Sequence, residues 1–562
     1  MMCLRFVLHR DMLAVRKCFE CGTILPAQRE KASDSSAESD LRHHTLLGSN
    51  EPPLDSDLPV IQAIVSQNST RLACLDTEIA QLRAQLEALE AERKAMSHAL
   101  AQNRAILSPI RRLPPEVICE IFSFTLPSLS SALARDIFDA NDSPWVLTGI
   151  CHRWRAIAVC TPSLWSLFAM KYSQCHHPFY YPLSAAKIQI QRAQSLKIHF
   201  YGSESRDPLP QIEMFRLLIE HSSRWEELSL GLISAMLPLL SSIRGRLPLL
   251  CRLWVEWDTV ASQAQLEVEG GESFDYFHAA PSLLDVGIYH EFQSIPTSLP
   301  VYQLTRYRLD APLMIHCDIL KLAKNLVEAH IDVDFDDEPW PDPVELIDLP
   351  YLRRLWVSYS NILDYLKAPS LEEIAVFLEG DECRETLLHL DPFVARSSCS
   401  LRALSIKGLP TTASLEILRK YPSIVKFALV IADASFGRDS CARINGLISN
   451  LIIPRPNRPV RGSIAPSRSG AAALSPQLSE IYVGCQETAY IDALLYLEMI
   501  ESRLEAENCP LRTVAFFSHT MLPPRQRARF QALRKQGLEL LWLEGPEASD
   551  VMEYWTFTEQ WN

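Results

Sequence analysis

Nine times between residues 225 and 516 the chain repeats one phrase: an apolar residue, two residues, an apolar residue, one residue, an apolar residue. It reads WEELSL at 225–230, LCRLWV at 250–255, LLDVGI at 283–288, LRRLWV at 352–357 and LEEIAV at 371–376. It returns as LRALSI at 401–406, IVKFAL at 424–429, LSEIYV at 478–483 and LRTVAF at 511–516. The alternation suits a short strand with one buried side. Several copies follow helix-like stretches such as MFRLLIEH and LEILRKY. A strand and a helix repeated in tandem cannot bury their apolar faces singly, so the units must stack. An ordinary α/β domain with leucine-rich strands would use the same residue types. Nine recurrences of one register favour an irregular α/β solenoid over residues 185–543. The intervals are mostly 19 to 33 residues, and a long gap near residue 450 holds PRPNRPVRGSIAPSRSGAAALSP. Proline, glycine, serine and arginine without periodicity predict a flexible insertion at 454–476. Residues 544–562 remain as a C-terminal tail.

A second period precedes the first. Apolar residues fall at Ile61 and Val65, then at Leu72, Leu75, Ile79, Leu82, Leu86, Leu89, Met96, Leu100 and Leu107. From Leu72 onward the steps alternate three and four, as the a and d positions of nearly five heptads do. Arg93 and Asn103 interrupt this seam, and a polar residue there sets register or partner at some cost in stability. The spacing predicts a leader and coiled-coil helix over 46–108, paired within the chain or with a second chain. One long amphipathic helix folded back onto its own chain would show the same stripe. Residues 22–58 are rich in Ser, Asp, Glu and Pro, and 1–45 is predicted to be disordered.

Composition narrows the function classes. A chain of 562 residues exceeds one core, so two to four domains are expected. A net charge of −14 argues against a nucleic-acid partner, which calls for a basic face. The longest apolar run, 232–240, contains a proline and is far too short to span a membrane. The first residues, MMCLRFVLHRDM, lack a small-residue cleavage site, so no secretory signal is expected. Fifteen scattered cysteines suit reduced core residues of a cytoplasmic or nuclear protein. Catalytic and metal motifs fail on inspection. HRD at 9–11 has Arg16 where a kinase loop needs asparagine. Asp332, Asp334 and Asp336 have calcium-loop spacing, but Asp337 and Pro343 replace the required glycine and glutamate. Cys18 and Cys21 have no second CxxC, and only His43 and His44 across a spacer could complete a zinc site. Neither a G-x-S-x-G elbow nor H-E-x-x-H occurs. The expectation is a protein with no catalytic residues, no metal and no cofactor.

Between the two periodic regions lies ILSPIRRLPPEVICEIFSFTL, residues 106–126. Pro114 and Pro115 suit the first turn of a helix, where a missing N–H costs nothing. Glu116 then sits where the helix dipole favours negative charge. Val117, Ile118, Ile121, Phe122 and Leu126 make a wide apolar stripe that stops at Pro127. A second helix is predicted from the Ser143-Pro144 cap, with Leu147, Ile150, Cys151, Trp154 and Ala158 on one face. Thr161-Pro162 is expected to cap a last turn bearing Leu164 and Trp165. So small a unit has more apolar surface than it can bury, and the excess calls for a partner.

The stretch LPPEVICEIFSFTLP…WVLTGICHRWRAIAVCTPSLW resembles an F-box, whose pattern is LP-x-E near the start and C-x-x-W, then P-x-L-W, near the end. With LLGSNEPPLDSD and RLACLDTEIAQLRAQLEALEAER ahead of it, the block 46–168 is similar to a fungal F-box family with a coiled-coil leader. The repeated strand–helix phrase resembles leucine-rich repeats. The insertion 127–142 is longer than in a compact F-box. The resemblance implies coiled-coil helix, helical F-box over 109–168, and leucine-rich-repeat-like solenoid, a multidomain α and α/β chain. It implies a substrate receptor of a Skp–cullin–F-box ubiquitin ligase that does no chemistry itself. Leu113, Pro114, Ile118, Ile121 and Phe122 would dock on the Skp adaptor and through it reach a cullin. Trp145, Leu147, Ile150, Cys151, Trp154 and Trp165 would continue or support that surface. The solenoid would capture a protein target that no motif names. The alternative is a scaffold of the same parts that directs no ubiquitylation.

Overall fold

The computed structural model describes residues 16–17, 24–25, 37–172, 181–260, 262–263, 274–289, 298–333, 340–343, 345–378, 383–408, 412–431, 438–453, 474–485, 491–506, 510–518, 523–535, 537–544 and 548. The HRD tripeptide, the Cys18–Cys21 pair, Asp334, Asp336, residues 454–473 and most of the C-terminal tail fall outside these. The chain divides into two compact units, Met1–Leu113 and Pro114–Asn562, and the division falls inside the Leu-Pro-Pro stretch.

The first unit contains α1 (Ala37–Gly48) and α2 (Leu58–Ile106). α1 starts inside the stretch expected to be disordered. Arg42 explains part of this, since its guanidinium lies 3.5 Å from both Glu51 and Asp57 and ties α1 to the turn before α2. α2 opens on a proline in its first turn and continues for 49 residues, about 74 Å at 1.5 Å per residue. Asn103 spends its amide on the Ala99 carbonyl of its own helix (2.8 Å). None of α2's residues is buried, and Leu72, Leu75, Ile79, Leu82, Leu86, Leu89, Met96 and Leu100 are all exposed.

The second unit begins with four short helices, α3 (Pro115–Ser123), α4 (Leu129–Leu133), α5 (Leu147–Ile150) and α6 (His152–Val159). Fourteen strands follow in one sheet: β1 (Leu167–Lys171), β2 (Leu196–Tyr201), β3 (Trp225–Leu232), β4 (Arg252–Trp257), β5 (Asp285–Ile288), β6 (Arg306–Asp310) and β7 (Glu328–Asp332). They continue as β8 (Arg354–Val357), β9 (Glu373–Leu378), β10 (Ala403–Gly408), β11 (Lys426–Ile431), β12 (Glu480–Cys485), β13 (Thr513–Ser518) and β14 (Glu539–Glu544). Every pair is parallel, and the strands lie in chain order. Helices occupy many of the crossovers: α7 (Leu183–Arg192), α8 (Pro208–Ile219), α9 (Leu237–Leu240), α10 (Leu313–Leu322), α11 (Cys383–Ser397), α12 (Thr412–Lys420), α13 (Arg438–Leu451), α14 (Ala493–Leu504) and α15 (Pro524–Arg534). Among the described residues no helix is long and apolar enough to cross a membrane.

All nine copies of the phrase lie on strands, β3 to β5 and β8 to β13. The sheet also starts earlier than 185, at Leu167. Register aligns the second apolar residue of each phrase into one row, from Phe168 through Leu228, Leu253, Leu355 and Leu404 to Leu540. The third forms a row from Met170 through Leu230, Val255 and Ile406 to Trp542. Helices cover this face. Phe215 of α8 packs on Phe200 at 5.4 Å, and Tyr496 of α14 and Phe530 of α15 pack on Phe516 at 5.5 and 5.9 Å. Each fully buried side chain of this size contributes about 1.5–3 kcal/mol, so the rows supply much of the unit's stability.

The expected insertion ends sooner than 476, because Leu474 and Ser475 are buried. Arg503 of α14, itself fully buried, explains the limit. Its guanidinium donates to the carbonyls of Leu451, Ser475 and Leu474 at 2.9, 3.0 and 2.8 Å, closing the chain on either side of 454–473. Replacing 456–471 with a short glycine–serine linker should leave the melting temperature nearly unchanged, since closure entropy varies only logarithmically with length. Arg503→Met should destabilise by about 3 kcal/mol or more by stranding three buried carbonyls. Denaturant titration of both variants checks the contrast.

Candidate functional site

α3 is a helix with two differently used stripes. Ile118 and Phe122, four apart, point inward and are buried. Phe122 packs against Trp154 of α6 with the rings tilted and their centroids 4.9 Å apart, joining the two helices. Pro114, Val117, Ile121 and Phe124 follow the opposite spacing. Val117 is exposed, Ile121 half-buried, and Phe124 is 88% exposed. Leu113 ends the first unit and is half-buried.

The expected second helix is broken in two. Ser143 caps nothing; its peptide to Pro144 is cis and its hydroxyl donates to Thr125 Oγ1 at 2.8 Å. Helix begins only at Leu147 and stops at Ile150, because Cys151 is extended (φ −159°). Cys151 Sγ accepts the Trp154 N–H at 3.4 Å and so caps α6. Thr161 makes no side-chain cap either; its hydroxyl donates to the Ile157 carbonyl at 2.7 Å.

The expected adaptor residues therefore divide. Ile118, Phe122, Leu147 and Trp165 belong to the protein's own interior. Trp165 donates its indole N–H to the Ala158 carbonyl (2.8 Å), meets Trp145 at 5.0 Å, and carries the Arg192 guanidinium 4.3 Å above its ring. Trp145 and Trp154 are half-buried supports, and Trp145 donates to the Ile137 carbonyl at 3.0 Å. Outward apolar contact is left to Val117, Ile121 and Phe124 on α3 and to Ile150 and Cys151 at the break. Phe124 was missed as a site residue, although its spacing from Val117 and Ile121 places it on their stripe.

A second candidate surface is the face of the sheet opposite the two apolar rows. One register position carries Lys197, Glu227, Arg252, Asp285, Arg306, Glu328, Arg354 and Glu373 on successive strands β2 to β9. The charges alternate without exception. Lys197 lies 2.7 Å from Glu227, and Arg252 lies 3.5 Å from Glu227 and 3.4 Å from Asp285. Arg306 follows at 3.8 Å from Asp285 and 3.4 Å from Glu328, and Arg354 closes on Glu328 at 2.6 Å. The acids are nearly buried and the bases about a third exposed, so the outward ends of this ladder are cationic.

Beside it, two residues along each strand, runs a second row. Trp254 lies across Gly287, where a Cβ would collide with the indole, and Arg308 sits 4.7 Å from the Trp254 ring. His330 stacks on Trp356 at 6.0 Å. Toward β14 the same face turns apolar, with Ala428, Val430, Tyr482, Ala515 and Phe517 packed with Ala548.

Burial sets the protonation of this face. It pushes His199 and His330 down to about 4; the neighbouring Glu227 and Glu328 oppose the shift and do not overcome it. Burial also pushes the Glu328 carboxyl up, but the contact with His330 and the charges of Arg306 and Arg354 outweigh it and hold Glu328 low. Burial dominates at Asp285 and raises it, despite Arg306 and Arg252. Among the described residues no group of three or more His, Cys, Asp or Glu is placed to hold a metal ion. Comparison with protein-family models and with curated proteins finds no match to the chain.

The two histidines make stability depend on pH with a definite sign. Unfolded, they take up protons below about pH 6.5; folded, they resist until about pH 4, so stability is full above 6.5 and is lost as pH falls between those values. At pH 5 each costs about 2 kcal/mol. The melting temperature should fall from pH 7 to pH 5, and the His199→Gln, His330→Gln double variant should lose most of that slope. At pH 7, Glu328→Gln should destabilise by about 2 kcal/mol or more, because Arg306 and Arg354 then share no anion.

Proposed function

We propose that the chain is the substrate-recognition subunit of a Skp–cullin–F-box ubiquitin ligase. The helices around 109–168 act as the F-box, and the strand–helix units act as a leucine-rich-repeat-like solenoid that captures a protein target. The observation that carries this reading is the outward stripe of α3. A helix whose inward residues already fill its own core still presents Pro114, Val117, Ile121 and the almost fully exposed Phe124. Soluble proteins leave such an apolar surface open mainly where a partner covers it. The LPPEV start and the C-x-x-W and P-x-L-W segments resemble the F-box pattern, and LPPEV opens the helix that carries this stripe.

Docking on a Skp-type adaptor, and through it on a cullin, would bring the target beside a ubiquitin-conjugating enzyme. The chain then accelerates transfer by raising local concentration and needs no acid, base or nucleophile of its own. The sheet face on which Lys197, Arg252, Arg306 and Arg354 turn their cationic ends outward is the surface offered to the target, with the buried Trp254 and the His330–Trp356 stack behind it. Arginine is among the side chains that dominate binding energy at interfaces.

The separation of stripes gives a sharp test. Ile121→Lys with Phe124→Lys puts two charges into the contact while leaving Ile118 and Phe122 in place. Adaptor pull-down should weaken by a factor of about 100 or more, with thermal unfolding unchanged. Phe122→Lys should instead lower the melting temperature, because its charge is buried against Trp154. Adaptor binding at full strength in the Ile121/Phe124 variant would remove the stripe as the docking surface. Loss of adaptor without a longer half-life for any cellular protein would favour the scaffold.

A further inference from the structure

The surface the adaptor reading leaves unused is the apolar stripe of α2. Leu72, Ile79, Leu82, Leu86 and Leu89 are each exposed, and no residue of the helix is buried. Nearly five heptads of such side chains exceed the three to four that mark a coiled coil. A helix that long cannot keep one apolar edge in water without association.

The flanks of the stripe say what covers it. Leu72 and Ile79 are a positions and Leu75 and Leu82 are d positions, so Arg71 and Glu78 stand at g while Asp76 and Arg83 stand at e. In a parallel pair in register, each g side chain faces the next e side chain of the other helix. Arg71 then meets Asp76, and Glu78 meets Arg83, each twice by symmetry. Further along, the facing residues are Gln85 with Glu90, Glu92 with Ser97 and Ala99 with Arg104, so no like charges oppose. An antiparallel pair sets g against g and e against e and loses this matching.

Arg93, the charged a position, fits the same arrangement. Its aliphatic stem covers the seam while its guanidinium reaches Glu92 of the other helix, which penalises any shifted register. Within the chain, among the described residues, Arg71, Asp76, Glu78, Arg83 and Arg93 form no ion pair. We infer that α2 pairs with α2 of a second copy of this chain, parallel and in register, making the protein a homodimer. This does not depend on adaptor binding.

Charge exchange in the full-length protein tests both partner and register. One variant carries Arg71→Glu and Arg83→Glu, the other Asp76→Lys and Glu78→Lys. Sedimentation velocity should show wild type as a dimer and each variant alone self-associating about tenfold or more weakly. The equimolar mixture should recover a dimer, because all four g–e contacts become attractive again, and circular dichroism should show α2 intact in each. A monomeric wild type overturns the pairing. Variants that dimerise alone as well as wild type does, or a mixture that stays monomeric, overturn the parallel register.

Discussion

Strand register is the constraint on which the second unit depends. Side chains alternate faces along a strand, so a slip of one residue on any strand would exchange its buried leucines for charges. Parallel strands have no tight hairpin to fix that choice, and here the long crossovers vary in length. The alternating ladder from Lys197 to Glu373 offers a local rule in its place. Each new strand meets opposite charge in the aligned register, and Glu328 illustrates the strength of that rule with Arg306 on one side and Arg354 on the other. Exposed ion pairs contribute little singly, but a continuous network with nearly buried acids resists displacement better.

The same ladder divides the labour of the two faces. On one, apolar rows and helices supply burial energy. On the other, charge holds register between β2 and β9, while Ala428, Tyr482 and Phe517 near the far edge pack with Ala548. Arg503 solves a related problem in the crossover before β12. A buried guanidinium there supplies hydrogen-bond donors to the carbonyls of Leu451, Leu474 and Ser475. Long insertions are tolerable in such a sheet wherever their ends are clamped.

Much of this sheet was legible because nine strands repeat one pattern of large aliphatic and aromatic residues. Several of the strands that were missed depart from the pattern at single positions. In β7 the central apolar site is Ala329, small enough to pass unnoticed, and in β2 the first site, three residues before Ile198, is the polar Ser195. β14 has Gly537 there, and β6 places the aromatic Tyr307 where its neighbours have aliphatic side chains. The ladder from Lys197 to Glu373 was present in the sequence too, as charges of alternating sign just before the second apolar site of each strand in that span, but its meaning depends on which strands become neighbours. The helical unit was legible in composition and not in geometry. Cys151 extends the backbone because its thiol caps α6, a local choice that no apolar spacing records. Burial of Phe122 and exposure of Phe124 likewise follow from where Trp154 sits, which is a tertiary fact.

The break at Leu113/Pro114 separates two kinds of recognition problem. α2 carries an exposed apolar stripe and has no buried residue. The α3–α6 unit has its own interior, built from Ile118, Phe122, Leu147 and Trp165, and keeps a smaller stripe outside it. Two prolines, Pro114 and Pro115, start the second helix afresh. A continuous helix would place the seam and the α3 stripe on one rigid rod whose phase drifts with every turn. With the helix ended at Ile106 and restarted at Pro115, the side chains of α3 are set by the core beneath them. Under the proposed function and the inferred pairing, one chain would meet an adaptor through α3 and a second copy through α2.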